Sequence, residues 1–99
     1  MEMPGYIGLY KFTQQGLADI KASPERIKQA KAFAEKIGIR VVGVWVTMGE
    51  YDLVSIGDAP DDQTVAIYAL SLAKLGNVTT QFMRALSEEE FAQVVSKLP

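Results

Sequence analysis

Residues 40–57 read RVVGVWVTMGEYDLVSIG. Two apolar runs, Arg40–Met48 and Leu53–Ile56, flank the tetrapeptide Gly49-Glu50-Tyr51-Asp52. Runs rich in β-branched and aromatic residues, bounded by turn formers, read as strands. The link is short and contains a glycine, so the two strands, Arg40–Met48 and Tyr51–Gly57, pair as an antiparallel hairpin. Gly49 is read as the residue that gives the turn a backbone angle other residues resist.

Working outward, Gly57-Asp58-Ala59-Pro60 ends the hairpin's second strand. Pro60 opens a helix with Asp61 and Asp62 in its first turn, where acidic groups favour the helix dipole. Val65, Tyr68, Ala69, Leu72 and Leu75 give that helix an apolar face, and Gly76-Asn77 stops it. Val78–Leu86 alternates as a fourth strand. Ser87-Glu88-Glu89-Glu90 is a capping box. The helix after it carries Phe91, Val94, Val95 and Leu98 on one face.

Upstream of the hairpin, Ser23-Pro24-Glu25 reads as a helix start with Ser23 as the cap. Ile27, Ala30, Phe33, Ala34 and Ile37 follow at helical spacing, and Gly38 ends the helix. Tyr6–Phe12 is the first strand. Thr13–Ala22 connects it to the helix, with a short helical turn around Leu17–Ile20.

The order is strand, helix, strand, strand, helix, strand, then an extra C-terminal helix. That is an α+β, ferredoxin-like βαββαβ arrangement in one domain, 1–99. Right-handed crossovers put both main helices on one face of a four-stranded antiparallel sheet.

Composition narrows the chemistry. The chain has 99 residues, is 48% hydrophobic and carries a net charge of -2, with no cysteine and no histidine. Disulfides, thiolate nucleophiles, Cys/His metal sites and imidazole proton transfer are therefore out of reach. No basic stripe supports nucleic-acid binding. No apolar run approaches a membrane span. Met1–Gly5 lacks the charged-then-apolar order of a secretion signal, so a cytoplasmic location is expected. No cofactor and no metal are expected.

The alternation rule sorts the strands into two faces. Ile7 and Leu9 are assigned to the helix side, leaving Tyr6, Gly8, Tyr10 and Phe12 on the free face. Val42, Val44 and Val46 go to the helix side, with Val41, Gly43, Trp45 and Thr47 opposite. Val54 and Ile56 go to the core, with Tyr51, Leu53 and Ser55 opposite. In the fourth strand either Thr79, Gln81 and Met83 or Thr80, Phe82 and Arg84 take the free face. An aromatic face of that size calls for cover, and a second copy of the sheet supplies it. The aromatics then serve as interface packing or as walls of a small-molecule pocket.

The chain resembles the GYD family of small proteins. The likeness rests on Gly49-Glu50-Tyr51-Asp52, with Thr13-Gln14-Gln15-Gly16, Ser23-Pro24-Glu25, Asp58-Ala59-Pro60-Asp61-Asp62, Leu75-Gly76-Asn77-Val78 and Arg84-Ala85-Leu86 in family order. The resemblance implies a dimeric α+β barrel and carries no established activity. The hairpin is also similar to that of the effector domains of leucine-responsive-type regulators, which share the fold and bind amino acids near it.

The candidate ligand-binding residues are Tyr10, Trp45, Glu50, Tyr51, Asp52 and Arg84. Asp52 either caps turn amides or faces a cavity as acid, base or amine anchor. Arg84 meets a carboxylate ligand or forms a surface ion pair. The first functional reading is a homo-oligomeric binding or accessory module with a small-molecule pocket near the hairpin. The alternative is a cofactor-independent monooxygenase- or isomerase-like enzyme using Asp52, Tyr51 or Tyr10.

Overall fold

The computed structural model describes residues 3–99. The secretion-signal reading at Met1 and Glu2 lies outside the described residues. The elements are β1 (Gly5–Phe12), α1 (Gln14–Ala18), a 3₁₀ turn (Ile20–Ala22), α2 (Ser23–Lys36), β2 (Arg40–Val46), β3 (Leu53–Asp58), α3 (Asp62–Leu75), β4 (Val78–Ala85) and α4 (Glu88–Ser96). The sheet order is β2-β3-β1-β4, and β1 pairs antiparallel with both β3 and β4, as does β2 with β3. This is the expected ferredoxin-like plan. The molecule is 19 Å across its thinnest dimension, room for one sheet and one helix layer.

Local chemistry sets the element ends. Gly38 and Gly76, with φ of 95° and 80°, end α2 and α3. Asp61 caps α3 rather than sitting inside it, its carboxylate accepting the Thr64 N–H at 2.8 Å. Ser87 and Glu90 form the capping box of α4 in both directions. Ser23 does not cap α2. The 3₁₀ turn runs straight into that helix, the Ser23 N–H donates to the Ile20 carbonyl, and Ala22 takes the cap position without a side-chain bond.

The faces of β1 and β3 are the reverse of the sequence expectation. Tyr6 and Tyr10 are buried beneath the helices, with Phe12 packed beside them. Leu53 is buried there too, opposite Tyr10 in the ladder, and Ser55 lies on the same side. Ile7, Leu9, Val54 and Ile56 therefore face away from the helices. The reason is volume. The helix face opposite the sheet contains Ala30 and Ala34, which leave depth that aromatic rings fill better than aliphatic chains. Tyr10 meets Phe82 edge-on at 5.7 Å, Tyr68 meets Phe82 at 5.9 Å, and Phe33 stacks on Tyr68 at 6.1 Å.

Strand β2 changes sides midway. A bulge between Val41 and Gly43 leaves Val42 unpaired. Val41 then packs on the core and Val42 is exposed, both opposite to expectation, while Val44 and Trp45 fall as expected. Strand β4 resolves to Thr79, Gln81 and Met83 on the open face, because those residues pair with Lys11, Leu9 and Ile7.

Candidate functional site

The hairpin end of the sheet is built by Asp52. Its main-chain carbonyl accepts the Thr47 N–H and its N–H donates to the Tyr10 carbonyl, both at 2.8 Å. Its carboxylate accepts the Phe12 N–H at 2.8 Å. Asp52 thus extends the ladder past the end of β3 and closes the end of β1. This resembles the capping alternative, except that the amide served belongs to β1 and not to the turn. Beside it the Tyr51 hydroxyl donates to the Gln81 side-chain carbonyl at 2.9 Å. Lys11 sits 5.1 Å from the Tyr51 ring centroid and 3.8 Å from the Glu50 carboxylate.

The six residues singled out from the sequence do not converge. Trp45, Glu50 and Tyr51 lie on or beside the open face. Tyr10 lies on the other side of the sheet, its hydroxyl 2.6 Å from Ser55 Oγ. Arg84 pairs in register with Tyr6, at the end of β1 remote from the hairpin. Its guanidinium donates to the Ala85 carbonyl at 2.7 Å, lies 3.7 Å from Glu90 and stands 5.7 Å from the Tyr6 ring. That is the ion-pair alternative, and Arg84 is spent on it.

Two surfaces remain. The open face of the sheet carries Ile7, Leu9, Trp45, Val54, Ile56 and Met83. Trp45 is 51% exposed, Ile56 41% and Met83 38%. The other surface is a cleft of about 570 Å³ between α2 and α3, floored by Tyr10 and Tyr68. Its lining includes neither Glu50, Tyr51 nor Asp52. The sequence reading missed this cleft. Of the small residues on the apolar face of α2, Ala30 lines the cleft while Ala34 is buried in the core, a difference that helical spacing alone does not reveal.

The motifs at Thr13–Gly16 and Leu75–Val78 prove to be one junction. The Thr13 hydroxyl donates to the Gly76 carbonyl at 2.6 Å, its N–H to Asn77 at 3.1 Å, and the Gln15 amide to Leu75 at 2.8 Å. The junction ties the end of β1 to the α3–β4 turn and closes one end of the cleft.

Fold and surfaces define a small α+β domain with an uncovered apolar sheet face and no converging acid–base set among the six candidates. The chain belongs to the GYD family, whose domain model matches residues 6–95. A Thermus thermophilus protein described as a glutamine synthetase and cystathionine beta-lyase binding protein is 38% identical over 85 residues, covering 85% of this chain and 90% of the relative. No solved structure gives a significant match. No helix among the described residues is long and apolar enough to cross a membrane.

Proposed function

We propose that this chain is a non-catalytic accessory module that pairs with a second copy of itself and docks on metabolic enzymes. The observation that carries the reading is the open sheet face. It is apolar from Ile7 to Trp45, and two cations on it among the described residues are already engaged, Lys11 by Glu50 and Tyr51 and Arg40 by Asp58. Such a face suits a two-fold partner presenting the same surface. Pairing there leaves α4 displayed. Phe91, Val94 and Val95 of α4 stand at i, i+3 and i+4, with Leu98 just past the helix end at i+7, all exposed, which is the spacing of a helix that lies in another protein's groove. The Thermus relative is named for binding glutamine synthetase and cystathionine beta-lyase. Enzymes of those two kinds, from the same source as this chain, are the partners to try first.

The enzyme alternative gains nothing from the geometry. Asp52 spends its carboxylate on the Phe12 amide, and Tyr10 and Tyr51 lie on opposite sides of the sheet.

Light scattering and co-purification test the reading. The wild-type chain is expected at twice its 10.9 kDa mass. Trp45→Glu is expected to be a folded monomer, because a charge on this face forbids dry packing. Purified glutamine synthetase or cystathionine beta-lyase is expected to retain the wild-type chain. A monomeric wild type, or retention by neither enzyme, would sink the proposal.

A further inference from the structure

The cleft between α2 and α3 has the size of a small-molecule site, about 300 to 1,000 Å³ in general. Its walls are apolar, with Ile27, Phe33, Leu53 and Leu72 facing the space. The Tyr10 and Tyr68 side chains complete the lining, and the Tyr10 hydroxyl is engaged by Ser55 Oγ at 2.6 Å. Burial is the main cause that raises both above the ordinary tyrosine value, so each stays neutral.

The charges in the lining are one-sided. Arg26 and Lys31 contribute to it, and no aspartate or glutamate does. Neither cation has an ion-pair partner among the described residues. Arg26 donates to the Asp19 carbonyl at 2.9 Å and the Gly16 carbonyl at 3.2 Å. Those bonds hold the guanidinium in place without neutralising it, and they leave other N–H donors free. An apolar trough with uncompensated cations selects an amphipathic anion, and a planar guanidinium suits a carboxylate.

We infer that the α2–α3 cleft is a binding site for a small hydrophobic carboxylate. The apolar body lies over Phe33 and Leu72, and the carboxylate points to Arg26 and Lys31. The site is on the opposite side of the sheet from the surface assigned to self-pairing, so it does not rest on the docking reading.

The test is a titration of the full chain with decanoate and phenylbutyrate, each against its matched alcohol, followed by amide chemical shifts. Saturable binding is expected, with the acid about tenfold tighter than the alcohol, the scale of one charge-assisted contact. Ala30→Leu fills the cleft and is expected to weaken acid and alcohol alike, in a protein whose circular dichroism is unchanged. Lys31→Met, at an exposed position that tolerates change, is expected to cut the acid's advantage and leave the alcohol's affinity in place. Absence of saturation, equal affinity for acid and alcohol, or shifts centred on Trp45 would each overturn the inference. So would Ala30→Leu binding as tightly as wild type.

Discussion

Two glycines in family motifs have opposite roles. Gly49, in the hairpin, has nothing within 4 Å of the position a Cβ would take, and it is not among the glycines with positive φ. The expectation that it supplies a special backbone angle is therefore wrong. The link from Thr47 to Asp52 is long enough to turn without one. Gly16 is the constrained residue. A Cβ there would stand 2.1 Å from the Asn77 carbonyl oxygen, and that oxygen is fixed by the Thr13 N–H. Neither backbone can retreat without opening the junction. Gly49→Ala should change unfolding free energy by less than about 0.5 kcal/mol. Gly16→Ala should lower it by about 2 kcal/mol, the usual scale for overpacking against fixed atoms. Urea unfolding of both variants checks the contrast, and equal losses would refute it.

At the scale of elements, caps and faces were legible to different degrees. The order of strands and helices followed from apolar spacing and breakers, and the structure has it. The side each strand presents did not follow. In β1 both alternating sets are apolar, Ile7 and Leu9 against Tyr6, Tyr10 and Phe12, so period two cannot choose between them. The choice rests on the depth left by Ala30 and Ala34 across the layer, a property of packing between distant segments. The bulge at Val42 is likewise silent in a run of valines. The candidate residues suffered for the same reason, since Tyr10 was grouped with Trp45 across a sheet that separates them.

Capping leads to a pH dependence. Backbone and side-chain hydrogen bonds from Thr64 hold the Asp61 carboxyl below its ordinary 3.8. A folded value below the unfolded one adds stability that is fully present above 3.8 and is lost as pH falls through the folded value. Asp61→Asn keeps an acceptor for the Thr64 amide but cannot titrate. It should melt close to wild type at neutral pH and show a shallower decline on acidification. Thermal melts across the acid range decide this, and identical acid limbs would count against the cap.

The whole molecule divides into a body and an appendage. The body is the sheet with α2, α3 and the β3–α3 link that carries Ala59, and it holds every buried residue of the two core clusters. Helix α4 has no buried residue, and its capping box is internal to its own first turn. It is tied back through Glu90 and Arg84, an ion pair at 3.7 Å between half-exposed side chains, which contributes little to stability. A nine-residue helix with an exposed apolar face is marginal alone and gains order from whatever surface accepts it. Removing residues 87–99 should therefore leave cooperative unfolding of the body nearly unchanged. It should also leave the dimer intact, because Trp45 and its neighbours lie on the sheet. What the truncated chain should lose is retention by the partner enzyme. Trp45→Glu gives the complementary result, a chain that keeps α4 and fails to pair. Light scattering separates the two variants, and co-purification shows which surface the enzyme reads. If the truncated chain still co-purifies with the enzyme as wild type does, α4 is not the docking element.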